Sequence, residues 1–400
     1  MYQKRVPVTG GVKGLRIDSI DIIRGLVMII MALDHTRDFM HISSLTQNPL
    51  DLATTTPQLF LTRWITNFCA PVFVFLSGTS AYLSFKKQNN YKQSRNFLLK
   101  RGIWLIFLEF TIINFALWFD IQFRILLFQV IAAIGFGFVI LAFLLKLKPG
   151  VIATMGLLIV FSHNLLLSLV SKELILTNIF SPVLNLTSYQ ISHKFIVVIA
   201  YPFLPWFGIM LTGFAFGKWF ELPVIKRKPV FLKTGLAALL IFLLLRSMHS
   251  YDEPYSWAVQ KNALFTILSF LNTSKYPPSF QFTLMTLGTM LILFYLVDGK
   301  QNRFLNFVTV YGRVPFFYYL IHLYLIHIVM LIIMFLQGFH FNDLSFAPLR
   351  FGRPDAESGI GLGLIYLVWG MIVMILYPAC REYGRYKLAN KTKRWWLRYL

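Results

Sequence analysis

The chain is short of cysteine, of acidic residues and of any extended polar stretch. Cys69 and Cys380 are the two cysteines among 400 residues; they exclude a disulfide scaffold, and in isolation they exclude a cysteine-based zinc cluster. Charged residues make up 14% of the chain, and no soluble-looking segment is long enough to form a domain of its own. There is no glycine-rich phosphate loop, no HExxH pair that would hold a metal, and no Gly-x-Ser-x-Gly elbow, so soluble nucleotide hydrolase and serine hydrolase schemes have no support. The first 19 residues are polar and basic and lack a cleavage-site pattern, so no removable signal peptide is expected.

Apolar residues fill the rest. They account for 57% of the chain, in runs too long for globular cores. Ten membrane spans are expected near 20–34, 66–85, 102–119, 125–145, 150–170, 195–217, 230–246, 281–297, 314–336 and 360–379. The loops between them then alternate in charge: 27 of the 38 Lys and Arg residues fall on one side and 10 on the other. This bias places both termini in the cytoplasm. The net charge of +22 is therefore an orientation signal, with attraction to anionic lipid headgroups second, and no nucleic-acid partner is expected. The reading is an all-α, polytopic membrane helix bundle of the cytoplasmic membrane. A single transmembrane domain over 20–379 is flanked by basic cytoplasmic tails at 1–19 and 380–400. The residues Trp257 to Phe265 read as a helix lying along the interface. The Pro- and Gly-rich stretch from Tyr201 to Gly217 reads as a broken or closely packed helix, as does Ser77 to Ala81.

Ionisable residues inside a span are costly and are functional candidates by default. The first span holds two, Arg24 and His35, and their eleven-residue separation returns to within about 20° on a helix with a rise of roughly 16 Å. Asp21 and Asp38, each three positions beyond, join the same stripe. A polar seam thus climbs one face of an apolar helix. A carboxylate at Asp34 or Asp38 is placed to bond one nitrogen of His35 and raise the basicity of the other, as a general base requires; the alternative is an interfacial histidine satisfied by water. Arg24 either pairs with Asp21 and snorkels to headgroups or holds a phosphate. His322, nine residues into the ninth span behind Arg313, is either a structural hydrogen-bonder or part of the same cavity. Glu109, deep in the third span, needs a partner such as Asn114 or a basic residue.

Several stretches carry a resemblance. They are Asp18 to Gly25, Leu33 to Phe39, Phe68 to Ser80, Pro202 to Gly208 and Gly312 to His322. Together with the Arg24–His35 spacing they resemble the transmembrane acyltransferase superfamily, and within it the bacterial relatives of the heparan-alpha-glucosaminide N-acetyltransferase catalytic domain. The resemblance implies an enzyme that takes an acyl group, usually acetyl, from cytoplasmic acyl-CoA and delivers it across the membrane to a saccharide or lipid acceptor. It implies His35 as the transferring residue, either directly as base or through an acyl-histidine intermediate, with Asp34, Asp38 and His322 beside it, and Arg24, Arg101 and Arg313 holding the CoA donor. One departure is that the lysosomal enzyme carries an asparagine at the position matching His35, with its active histidine further into the following loop, which makes His41 a contender. The partners implied are acyl-CoA, an acceptor and membrane lipids, with a homodimer left open. The rival reading is a proton-coupled transporter or flippase in which Arg24, His35, Glu109 and His322 form a relay.

Overall fold

The computed structural model describes residues 17–170, 174–192, 195–249, 251, 256–390, 393, 394 and 397. In chain order the first elements are α1 (Asp18–Met40), α2 (Pro57–Thr66), α3 (Cys69–Gln88), α4 (Tyr91–Leu108) and, after a wider π turn at Glu109–Ile113, α5 (Asn114–Trp118). Strand β1 (Ile125–Phe128) precedes α6 (Val130–Leu144), α7 (Pro149–Val170), α8 (Leu174–Leu184), β2 (Thr187–Ser192), β3 (Phe195–Ile199) and α9 (Phe203–Phe216). The last are α10 (Val224–Ser247), α11 (Ala263–Leu271), α12 (Phe280–Val297), α13 (Arg303–Arg313), α14 (Pro315–Leu336) and α15 (Leu362–Asn390).

Among the described residues, seven helical segments are long and apolar enough to cross a membrane: Pro57–Gln88, Tyr91–Trp118, Pro149–Leu169, Val224–Ser247, Phe280–Val297, Pro315–Leu336 and Leu362–Asn390. The protein is a mostly helical, multi-pass membrane protein. Helix α1 has the length, at 23 residues, but its charged seam sets it apart from the apolar seven. Helices α6 and α9 have only 15 and 14 residues, below the roughly 20 that a bilayer core needs.

The all-α expectation misses a small sheet. Its order is β1-β3-β2, with β1 parallel and β2 antiparallel to β3. Two segments expected as continuous helix, 125–145 and 195–217, therefore begin as strand. The reason lies in local hydrogen bonding. The side-chain amide of Asn114 donates to the carbonyl of Ile125 at 2.8 Å and accepts from the Leu127 N–H at 3.1 Å, serving the edge of β1 that β3 leaves open. Extended backbone at such depth persists only where its polar groups are satisfied in this way. The expected interfacial helix is displaced: α11 starts at Ala263, and Trp257 lies outside regular structure with its indole donating to the carbonyl of Arg246. The expected boundary at 379/380 falls within α15, which continues to Asn390. Residues 1–16 of the expected N-terminal tail, and most of 391–400, lie outside the described residues.

Close packing of α1, α3, α9 and α13 positions the seam. Gly78 of α3 lies on the backbone of Met210 in α9, and Gly213 of α9 on the backbone of Phe75 in α3. The Thr79 hydroxyl donates to the Gly213 carbonyl at 2.8 Å across this joint. Gly25 of α1 meets Val308 of α13 in the same manner, and Gly312 meets Asp21. Pro202 and Pro205 sit at the start of α9 rather than breaking it. At the end of the bundle where α1 begins, Arg227 of α10 pairs with Asp298 at 2.6 and 2.8 Å, and Asp298 also accepts from Ser19 at 2.8 Å.

Alanine normally stabilises a helix by about 1 kcal/mol relative to glycine. Gly370, whose added methyl would meet nothing within 4 Å, should show that gain. Gly213→Ala should instead lower stability by about 1–3 kcal/mol, because the methyl enters the backbone of Phe75. Thermal denaturation of the two variants in one detergent checks this, and shifts of the same sign would contradict it.

Candidate functional site

Helix α1 presents Arg24 to one end of the bundle and His35 toward the other. The Arg24 guanidinium donates to the Ser80 hydroxyl of α3 at 2.8 Å, and at 3.4 Å to both the Gly312 carbonyl and the Asp21 carboxylate. Ser80 can accept because its own proton goes to the Leu76 carbonyl at 2.7 Å. Arg101 of α4 lies near enough to Arg24 to feel its charge. Its guanidinium rests against the rings of Phe97 and Phe138, at 6.0 and 5.5 Å from their centroids. Its buried Nε has no hydrogen-bond partner among the described residues, and neither does its head group have a carboxylate there. The side chain of Arg313 is 46% exposed, in a loose ion pair with Asp18 at 3.8 Å. Of the three expected donor-binding arginines, Arg24 and Arg101 thus lie within electrostatic reach of each other and Arg313 is the most exposed. A cradle of arginine cations with an orphaned buried Nε fits an anion such as a phosphate.

His35 has a partner other than the expected carboxylate. Its Nδ1 lies 2.8 Å from Nε2 of His322 on α14. The Nδ1 of His322 lies 2.9 Å from the Tyr318 carbonyl oxygen. A carbonyl only accepts, so His322 carries its proton on Nδ1 and offers the lone pair of Nε2. His35 must then donate from Nδ1, and in the neutral imidazole its Nε2 is left unprotonated. This assignment follows from the hydrogen-bond network. It is the arrangement in which one imidazole fixes the tautomer of another.

Both expected carboxylates are engaged elsewhere. Asp34 binds Arg37 at 2.7 Å and Arg63 of α2 at 3.2 Å, and Asp38 binds Arg37 at 2.6 Å. Arg63 also reaches Thr66 at 2.8 Å. Lys275, in the segment before α12, is 9% exposed and belongs to the same electrostatic neighbourhood as Asp34 and His35. Tyr201 and Tyr276 pair their hydroxyls at 3.5 Å close by. The sequence pattern did not single out Arg37, Arg63, Lys275, Tyr201 or Tyr276. Arg37 was legible as the i+3 neighbour of Asp34, and Arg63 as one of few cations on its side. Lys275 carried no signal, since only the tertiary fold returns its loop to α2.

The buried hydroxyls of Tyr318 and Tyr319 have no partner among the described residues. The Tyr319 ring stands edge-on to His35 with centroids 6.4 Å apart. Glu109 is fully buried, and it takes the Ala132 N–H at the start of α6 at 2.9 Å rather than Asn114 or a cation. Its Oε1 has no partner there. Buried polar atoms left unpaired mark places where a substrate's polar groups can be received. His41 stands apart: it follows α1, and its Nδ1 accepts from the Ser43 N–H at 3.3 Å. Its ring lines an open pocket with Ser43, Thr46, Gln47 and Glu357. Burial, with the cations of Arg37 and Arg353, holds its imidazole below the usual value.

A family model described as heparan-alpha-glucosaminide N-acetyltransferase, catalytic, matches residues 16–252. That span takes in Arg24, His35, Arg63 and Arg101 and ends before Lys275, Arg313 and His322. Comparison with curated proteins gave no match. With more than half its length matched and its polar seam enclosed by apolar helices, the chain belongs to the heparan-alpha-glucosaminide N-acetyltransferase catalytic family of membrane acyltransferases.

Proposed function

We propose that the protein moves an acyl group, acetyl in the first instance, from cytoplasmic acyl-CoA to an amine or hydroxyl of a saccharide or lipid on the other side of the cytoplasmic membrane. In this reading ten segments cross: the seven apolar ones together with α1, α6 and α9. They form a single domain over 20–379, and both termini face the cytoplasm on the basic side. Arg24, Arg101 and Arg313 hold the phosphates of CoA, and Arg101 contributes a cation that the described residues leave without a carboxylate. The donor's pantetheine arm runs along the seam, and the roughly 16 Å rise from Arg24 to His35 is commensurate with it. The unpartnered hydroxyls of Tyr318 and Tyr319 receive polar groups near the thioester.

The observation that carries this reading is the contact of His35 with His322, which leaves the Nε2 lone pair of His35 free. That nitrogen accepts the proton of the acceptor as its nitrogen or oxygen attacks the thioester carbonyl carbon. His322 is a positioning residue in this step: its Nε2 accepts the hydrogen bond of the His35 Nδ1–H and holds the ring. The Arg37, Asp34 and Arg63 group fixes the far end of α1 against α2 and so holds His35 at the level of His322. Asp34 and Asp38 serve as the anionic part of that brace.

Incubation of the lipid-reconstituted protein with radiolabelled acetyl-CoA and glucosamine as acceptor tests the proposal. Transfer of label should fall by about 10²–10⁴-fold in His35→Ala, the usual contribution of a general base, while acetyl-CoA still binds. His41→Ala should turn over like the wild type, and the reverse pattern would move the base to the loop.

Arg24→Ala should act on the donor instead. Loss of charge-assisted bonds worth about 1.5–3 kcal/mol should raise the KM for acetyl-CoA roughly 10- to 100-fold. A fall in kcat with KM unchanged would remove Arg24 from the donor site.

A further inference from the structure

The group of side chains around the far end of α1 holds one more cation than anion. Arg37 is committed to both Asp34 and Asp38, and Arg63 to Asp34 and Thr66. Lys275 is the third cation. It is 9% exposed and has no carboxylate within ion-pairing distance among the described residues. Its ammonium lies over the Tyr276 ring, 5.1 Å from the centroid. Its loop meets α2 at Trp64, next to the Arg63 that binds Asp34, the residue preceding His35. Burial would raise the Tyr276 phenol, yet the charges of Lys275 and Arg63, with side-chain hydrogen bonds to Tyr201 and Lys275, hold it below its ordinary value.

A buried cation without a carboxylate partner is expensive, and the loop that carries this one is held firmly. The Trp64 indole of α2 donates to the Leu271 carbonyl at 3.1 Å, and the Asn272 amide to the Leu50 carbonyl at 3.4 Å. Within the turn, the Ser279 N–H returns to the Ser274 carbonyl at 3.0 Å, and the Ser274 hydroxyl to that of Pro277 at 3.1 Å. The loop that carries Lys275 is thus tied to the helix that carries Arg63. A buried cation short of one anion, on a loop tied to the helix whose Arg63 braces Asp34 next to His35, suits a negative charge that appears only during reaction.

We infer that Lys275 is the oxyanion donor of the acyl-transfer step. The inference rests on the reading of His35 as the base. As the acceptor's lone pair bonds to the thioester carbonyl carbon, the carbonyl π pair moves onto oxygen and the acceptor's proton passes to Nε2 of His35. The Lys275 ammonium stabilises that oxygen. When the intermediate collapses, the pair returns to re-form the carbonyl and the carbon–sulfur bond breaks. The His35 imidazolium then gives its proton to the departing CoA thiolate.

Steady-state rates of reconstituted Lys275→Ala, with acetyl-CoA and glucosamine both varied, test the assignment. The kcat should fall by about 10²–10³-fold, as on removal of one oxyanion donor, with both KM values held to within about threefold. Lys275→Arg should recover part of the kcat, and it carries the same kcat-against-KM test if the alanine variant does not fold. A raised glucosamine KM at unchanged kcat would make Lys275 an acceptor anchor and overturn the inference, as would wild-type kinetics in either variant. Wild-type protein run in parallel separates the failures. If it transfers acetyl while Lys275→Ala matches it, only the oxyanion role falls; if it transfers none, the acyltransferase reading falls too.

Discussion

A line of ionisable side chains on a membrane helix survives only if neighbouring helices take up every charge and hydrogen bond along it. Much of this bundle is arranged to meet that demand for α1. Gly25 and Gly312 bring α13 against α1, so that the Gly312 carbonyl meets Arg24, and Ser80 of α3 meets it as well. Helix α14 meets the seam higher up through His322, and α2 closes it with Arg63. Helix α15 packs along the opposite side, where Trp369 donates to the Ile29 carbonyl and Tyr311 to that of Val373. The seam thus becomes an interior surface with a cationic end, an imidazole pair and a braced acid group in sequence.

This order divides the chemistry between the two ends. The end with Arg24 and Arg101 offers permanent positive charge from guanidinium groups that stay protonated at any working pH. The other offers an imidazole pair and a mixed cluster of Arg37, Arg63, Lys275, Asp34 and Asp38. In the proposed reaction a long thiol ester with a phosphorylated tail would match that polarity, its reactive carbonyl lying beside the imidazole. The family match reinforces the reading through α1 to α10, while His322, Arg313 and Lys275 come from the remainder of the chain.

Much of this was legible in the sequence, for reasons that can be stated. The Arg24–His35 register follows from helix geometry alone, and the apolar runs give the helices because nothing else satisfies a backbone in lipid. What stayed hidden depends on long-range contact. The sequence showed carboxylates at Asp34 and Asp38 close to His35, but not that Arg37 and Arg63 would claim them and leave His322, 287 positions away, as the partner. Strands β1 and β3 looked like helix because their residues are apolar throughout. Only the pairing between them and the Asn114 amide reveals the extended form. Glu109 announced itself by burial, but its partner proved to be a backbone amide at the start of α6.

The central claim is that His322 sets the tautomer of His35, and it is tested most directly by comparing acetyl transfer in His322→Gln and His322→Leu. A glutamine side-chain oxygen can take the place of the Nε2 acceptor and bond the Nδ1 proton of His35, whereas leucine cannot. The account predicts that His322→Gln keeps a substantial part of the wild-type kcat and that His322→Leu loses most of it, with acetyl-CoA binding retained in both. Equal activity in the two variants would contradict it.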